Sequence, residues 1–247
     1  MRAAFDRSRR AAWAACALIL AAAPALAETV KGNGVMRTEA RQVSGFTSVG
    51  LGIAGKVEVK IGPTESVTVE ADENLLPLIE TSVKRGTLEI KSTRRNLSFD
   101  SRSIRIVVQA KQVEGLAIGG SGSIMSDALR ASRLKFDIGG SGTIDVKRVD
   151  AERVEVSIGG SGDVKLAGTA SKLDVSIGGS GGVVAPSLVA DKVEISVAGS
   201  GAAQVAARSL LDVTLAGSGS VQYWGDPTVK RTVVGVGAIK RMGPLPQ

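Results

Sequence analysis

Apolar and polar residues alternate along most of this chain, and from residue 113 the alternation recurs in register about every 20 residues. Aligning the recurring units gives three apolar columns. Leu134, Val154, Leu173, Val193 and Leu211 form one, Phe136, Val156, Val175, Ile195 and Val213 the next, and Ile138, Ile158, Ile177, Val197 and Leu215 the third. One polar position separates each column from the next, so all three point to one side of a strand. A glycine-serine corner follows, reading IGGSG at 118–122, 138–142, 158–162 and 177–181, then VAGSG at 197–201 and LAGSG at 215–219. The serines stand at intervals of 20, 20, 19, 20 and 18, and a worn seventh copy at 233–237 puts Val236 where the serine was. After the corner, Ile124, Ile144, Val164, Val183 and Val221 keep an apolar column with Ala203 as its small member.

A fixed period near 20 with strand-like flanks is the signature of a stacked solenoid. The expected fold is all-β: a single-domain parallel β-helix with coils of about 20 residues, each built from two strands, two corners and a variable turn. Stacked strands pair in parallel about 4.8 Å apart, so seven coils extend roughly 34 Å. An antiparallel meander needs hairpin turns between neighbours and gives no reason for one corner to return every 20 residues.

The corner residues are Gly120, Ser121 and Gly122; Gly140, Ser141 and Gly142; Gly160, Ser161 and Gly162; Gly179, Ser180 and Gly181; Gly199, Ser200 and Gly201; and Gly217, Ser218 and Gly219. A bend repeated at one place in every coil needs either positive φ or close backbone approach, which glycine accepts without a Cβ penalty. The role assigned to these residues is therefore structural.

Ahead of the repeats, Glu28 to Gln42 reads as a polar, irregular start, and 28–45 as an exposed N-terminal segment. Val57, Val59 and Ile61 alternate with Glu58 and Lys60, and Val67 and Val69 continue the period-2 pattern. Residues 73–80 hold one helical turn broken by Pro77. Val83, Leu88 and Ile90 flank a Lys84-Arg85-Gly86 turn, residues 92–103 read as a loop, and Ile104, Ile106 and Val108 make another strand. The solenoid domain is placed at 46–247, with repeats from about 113 to 240.

Residues 1–27 read as a signal peptide: basic Arg7, Arg9 and Arg10, an apolar run from Ala11 to Ala23, and Ala25-Leu26-Ala27 before a cleavage point at Glu28. That run is too short to span a bilayer, and no later apolar run reaches spanning length. Arg9-Arg10 faintly resembles a twin-arginine signal, and Cys16 lies too close to Arg10 to close a lipoprotein leader. Cleavage removes the only cysteine, and the chain has no histidine. It also lowers the net charge from +7 to +4. With few aromatics to stack on bases, nucleic-acid binding loses its support.

Catalytic and cofactor readings fail on spacing. A calcium nonapeptide repeat needs Asp where the corners carry Ile124, Ile144, Val164, Val183, Ala203 and Val221. The stretch 178–182 fits a hydrolase elbow formally, yet no histidine exists to activate Ser180. No corner leads into a helix that would cradle phosphate. No catalytic, metal or cofactor residue is assigned.

The export signal, the entry segment Phe46-Thr-Ser-Val49 with Val57-Glu-Val-Lys60, the Gly86-Thr-Leu-Glu-Ile90 stretch and the serial GSG corners together resemble the bacterial putative auto-transporter adhesin head domain, the GIN domain. The resemblance covers about 46–240. It implies a β-helical exported protein of Gram-negative bacteria, in the periplasm or at the cell surface, and carries no catalytic or ligand residues with it.

One outward constellation invites a binding role. Glu155, Asp174, Glu194 and Asp212 share a column, with Arg153, Lys172 and Lys192 two residues before three of them, and Ser157, Ser176, Ser196 and Thr214 two residues after. The plain reading is a solvated, charge-paired face. The functional reading is a non-enzymatic adhesin-like or envelope-associated module, its polar stripe gripping an extended envelope or surface glycan, or another envelope protein, through polyvalent, salt-sensitive contacts. The alternative is a polysaccharide-cleaving β-helix enzyme using surface carboxylates. That enzyme needs a groove walled by inserted loops, and the even coil spacing leaves little room for them.

Overall fold

A computed structural model describes residues 28–100 and 104–246. The leader, with its Arg9-Arg10 pair, Cys16 and the cleavage motif, lies outside the described residues. Seven first-face segments stack in parallel from Gly115–Ile118 to Thr228–Gly235. They are joined through the glycine-serine corner to a second face running from Ser123–Ser126 to Ala238–Gly243. The three apolar columns pair residue on residue, as in Leu134↔Val154↔Leu173↔Val193↔Leu211. All are buried, and they fill one continuous core with Ile124, Ile144, Val164 and Val183 from the second face. Each such aliphatic contributes about 1.5–3 kcal/mol by leaving water, and stacking like on like lets every coil offer the next the same surface.

The coils are three-sided rather than two-sided. The stretch expected to be a variable turn stays extended and pairs with its copies: Leu129↔Val149, and Ala131↔Ala151↔Ala170↔Ala190↔Ala207. Leu129, Val149 and Leu188 close this side of the core. The alanine column runs along this side, half-buried at Ala131 and Ala151 and buried at Ala170, Ala190 and Ala207.

The glycine-serine corners work mainly by close approach. A Cβ on Gly140, Gly160 or Gly179 would strike the backbone carbonyl of the glycine one coil below, and one on Gly142, Gly162 or Gly181 would strike both a carbonyl and an isoleucine methyl. Gly199, Gly217 and Gly235 add a positive φ of 135°, 125° and 123°. The serine backbone N–H donates to the coil below, as from Ser161 to Gly140 at 3.1 Å. The six corner serine side chains themselves are exposed.

The coil architecture starts before the glycine-serine repeats. Ser48–Leu51 and Lys56–Ile61 pair in parallel beneath the first and second faces, so Val49, Leu51, Val57 and Val59 extend the same core columns. Below them lie Thr87–Ser92 and Arg105–Ala110. Antiparallel strands then close this end. Ile79–Lys84 and Thr87–Ser92 form a hairpin whose turn residues Arg85 and Gly86 have φ of 51° and 76°, the two positive values of a type I′ turn. Ser66–Asp72 covers Arg105–Ala110 and is itself covered by Met36–Arg41.

Three expectations change here. The start is exposed but not irregular: Glu28–Lys31 and Met36–Arg41 are strands. The expected loop at 92–103 contains the strand Leu97–Asp100, which pairs in parallel with Glu28–Lys31. The helical turn shrinks to a 3-10 turn at Leu76–Leu78, because Pro77 lacks the donor a longer helix requires.

Candidate functional site

Period-2 alternation sends every second residue of the first face outward, and parallel in-register stacking turns those residues into rows. Glu155↔Asp174↔Glu194↔Asp212 and Ser157↔Ser176↔Ser196↔Thr214 are such rows. Arg133↔Arg153↔Lys172↔Lys192 runs beside them. All eight sequence-predicted contact residues therefore lie on one outward face, together with Lys135 and Lys230, which cap the acidic row at its two ends.

The charges are stitched diagonally across the coils. Arg133 Nη2 reaches Glu155 Oε1 at 2.5 Å, and Arg153 Nε donates to the same oxygen at 2.7 Å. Arg153 Nη2 also meets Asp174 at 2.6 Å, and Lys172 lies 2.9 Å from both Asp174 and Glu194. Both Asp174 oxygens are shut off from water, and they meet the two cations as ion contacts rather than at hydrogen-bond angles. Arg133, then Arg153, hold Glu155 below the usual carboxylate range, and Lys172 does the same for Glu194. Lys172 is raised in turn, by Glu194 first and Asp174 second.

The ladder stops at Lys192. Neither Lys192 nor Asp212 makes an ion pair among the described residues, and the position two before Asp212 is Leu210, which offers no cation in its own coil. Asp212 is the one carboxylate of the row with no charge partner.

Arg153, Glu155, Asp174, Glu194 and Asp212 line a shallow depression of about 500 Å³ with Ser157, Ser176, Ser196 and Thr214. Val156, Val175 and Ile195 form part of its lining. It is open along the stack, so it fits a rod laid across several coils better than a compact molecule. Sequence reasoning missed Arg133, which anchors one end of the ladder; its place in the basic column, 20 residues before Arg153, was the available signal. The corner serines stand apart from this depression.

A second depression of about 510 Å³ lies over the third face, lined by Arg130, Asp150, Glu152, Asp191, Arg208 and small residues of the alanine column. Its charges are paired crosswise, Arg130 to Asp150 at 2.9 Å and Arg208 to Asp191 at 2.8 Å. Among the described residues no group of three acidic, histidine or cysteine side chains could hold a metal ion, and no helix is long and apolar enough to cross a membrane.

Comparison with known proteins places this architecture. The model of the family described as "Putative auto-transporter adhesin, head GIN domain" matches residues 45–227. The chain belongs to this family. Among solved structures, a "putative adhesin" from Bacteroides fragilis shares 25% identity, covers 86% of this chain and 100% of its own, and superposes with a TM-score of 0.81. A "putative lipid binding protein" from Parabacteroides distasonis shares 23% identity over 87% of this chain and 100% of its own, with a TM-score of 0.71. A "putative adhesin" from Parabacteroides merdae shares 22% over the same fractions, with a TM-score of 0.67. These two share the fold. No curated protein matches the chain in sequence. The match from residue 45 fits the finding that the GIN coils begin before the first glycine-serine corner.

Proposed function

We propose that this GIN-domain protein is an exported, non-enzymatic binding module. In this reading it works in the periplasm or at the cell surface and holds an extended glycan along its first face. The carrying observation is the depression of about 500 Å³ lined by Glu155, Asp174, Glu194 and Asp212 with Ser157, Ser176, Ser196 and Thr214. Hydroxyls and carboxylates returning at the coil spacing suit a polymer whose own hydroxyls repeat. No single contact is strong, and affinity accumulates from coils engaging together. Turnover is disfavoured because Arg133 and Lys172 hold Glu155 and Glu194 below the usual carboxylate range, whereas glycoside cleavage needs one carboxyl kept protonated as the acid.

Glycan-array binding tests this reading. Changing Glu155, Asp174, Glu194 and Asp212 together to Ala, with the β-sheet circular dichroism intact, is expected to abolish binding. Undiminished binding removes this face, and reducing sugar released by the wild type moves the protein to the polysaccharide-cleaving class.

A further inference from the structure

The last coil is built unlike the others. Its inward positions continue the core columns, since Leu211 pairs with Val229, Val213 with Arg231, Leu215 with Val233, Val221 with Ile239 and Tyr223 with Arg241. Among the described residues the register pairs Thr228–Gly235 and Ala238–Gly243 only with the coil before them, which leaves the far edge of each open. Val229 and Val233, at inward positions, are therefore about 40% exposed, while Val234 at an outward position and Val236 at the corner position are 68% and 84% exposed. An open coil edge that exposes apolar residues marks an interaction surface.

Charge narrows the partner. From residue 226 onward the coil carries Lys230, Arg231, Lys240 and Arg241 against the single acid Asp226. That excess of three is most of the net +4 carried by residues 28–247. Only Arg241 is engaged, donating to the Gly225 carbonyl at 2.7 Å with Asp226 3.8 Å away. The other three cations have no ion pair among the described residues. Two such ends facing each other would bring eight cations together, which argues against a second copy. Tyr223 and Trp224, the only tyrosine and the only tryptophan after residue 27, border the same coil and are half-buried. A body that is apolar, fringed with cations and edged by amphipathic aromatics has the chemistry that settles into a lipid headgroup layer.

We infer that the last coil docks end-on against an anionic phospholipid bilayer surface. Val229 and Val233, with Val234 and Val236 at the rim, enter the headgroup boundary, and Arg231 and Lys240 meet lipid phosphates. The coil axis then stands away from the membrane, and the first-face depression stays free along the side of the stack. The two surfaces work independently.

Vesicle co-sedimentation of the purified protein tests this. It is expected to bind phosphatidylglycerol vesicles and not phosphatidylcholine vesicles. The double change Arg231→Gln and Lys240→Gln should weaken binding about 25-fold, at about fivefold per cation. Val234→Asp with Val236→Asp should weaken it at least about tenfold. All four positions are exposed, so the melting temperature should hold in both variants. Equal binding to the two lipids, or unchanged binding in either variant, overturns the proposal. So does self-association without lipid that Val234→Asp with Val236→Asp abolishes, because the end then serves a second copy. Glycan binding should persist in both variants, which separates this surface from the first face.

Discussion

Arg153 lies 2.6 Å from Asp174, one coil further along, while its Nε holds Glu155 in its own coil at 2.7 Å. One guanidinium thus ties two coils together from outside the core. Its stem is 45% exposed, and the Asp174 side chain is 21% exposed. Exposed pairs contribute about 0–1 kcal/mol. Arg153→Ala is expected to destabilise by about 1 kcal/mol, measured by urea denaturation. A double-mutant cycle with Asp174→Ala should show coupling of the same order. Zero coupling would make the ladder ornamental.

The corners predict an order among neighbouring substitutions. Gly159 has nothing within 4 Å of a would-be Cβ, and Ala198 and Ala216 occupy its place in later coils. Gly159→Ala should therefore be nearly neutral. Ser161→Ala should cost no more than about 0.5 kcal/mol, since the side chain is exposed and the 84% exposed Val236 already replaces the serine in the last copy. Gly160→Val should cost about 3 kcal/mol, because its Cβ would strike the Gly140 carbonyl, which cannot retreat without opening the stack. Melting temperatures of the three variants check the ranking, and equal losses for Gly160→Val and Ser161→Ala would refute it.

Acid should loosen the first face before it reaches the core. Glu155 and Glu194 are lowered from the ordinary 4.5 by Arg133 and by Lys172 respectively. A carboxyl lowered on folding contributes stability that is fully present above its unfolded value and lost as pH falls through the folded one. Stability should be flat above about pH 5 and decline below the ordinary carboxylate value, and Glu155→Gln with Glu194→Gln should flatten that decline. At the other end Lys172 is raised from the ordinary 10.5, so its contribution is complete below that value and fades as pH rises above it. Thermal melts across the pH range test both limbs.

The first two faces are legible in the sequence because two periods coincide there. Alternation by two picks the buried side, and recurrence near 20 aligns Leu134 with Val154 and Phe136 with Val156 as the structure does. The third face is not legible, for it offers about three residues per coil, its register shifts at Val146/Val149, Lys165/Ala167 and Ala185/Val189, and alanine gives little hydrophobic contrast. Met36–Arg41 escaped for another reason: it lies over the antiparallel end of the solenoid with almost every residue exposed, so no alternation marks it. The rows of the candidate face could be read from spacing, but which cation serves which carboxylate could not. That pairing depends on side chains reaching diagonally to the next coil, as from Lys172 to Glu194.

The break in the ladder yields the sharpest test of the first face. Glu155, Asp174 and Glu194 each spend their charge on a cation, and a ligand must compete with that cation for their lone pairs. Asp212 has Leu210 where its neighbours have Arg or Lys, and its carboxylate lines the same depression beside Thr214. It is free to accept from a sugar hydroxyl without first breaking an ion pair. A hydrogen bond to a charged acceptor contributes about 1.5–3 kcal/mol, so Asp212→Asn should weaken binding of a glycan that engages the depression by about tenfold or more. Glu155→Gln should weaken it several-fold less. Asp212 also holds no pair whose loss would unsettle the fold, so the melting temperature of Asp212→Asn should stay within about 1 °C of the parent. Titration calorimetry with the best glycan from the array measures both variants. Equal effects of the two substitutions would show that the ligand reads the row as a whole, and an effect of Glu155→Gln alone would place the contact at the opposite end of the face.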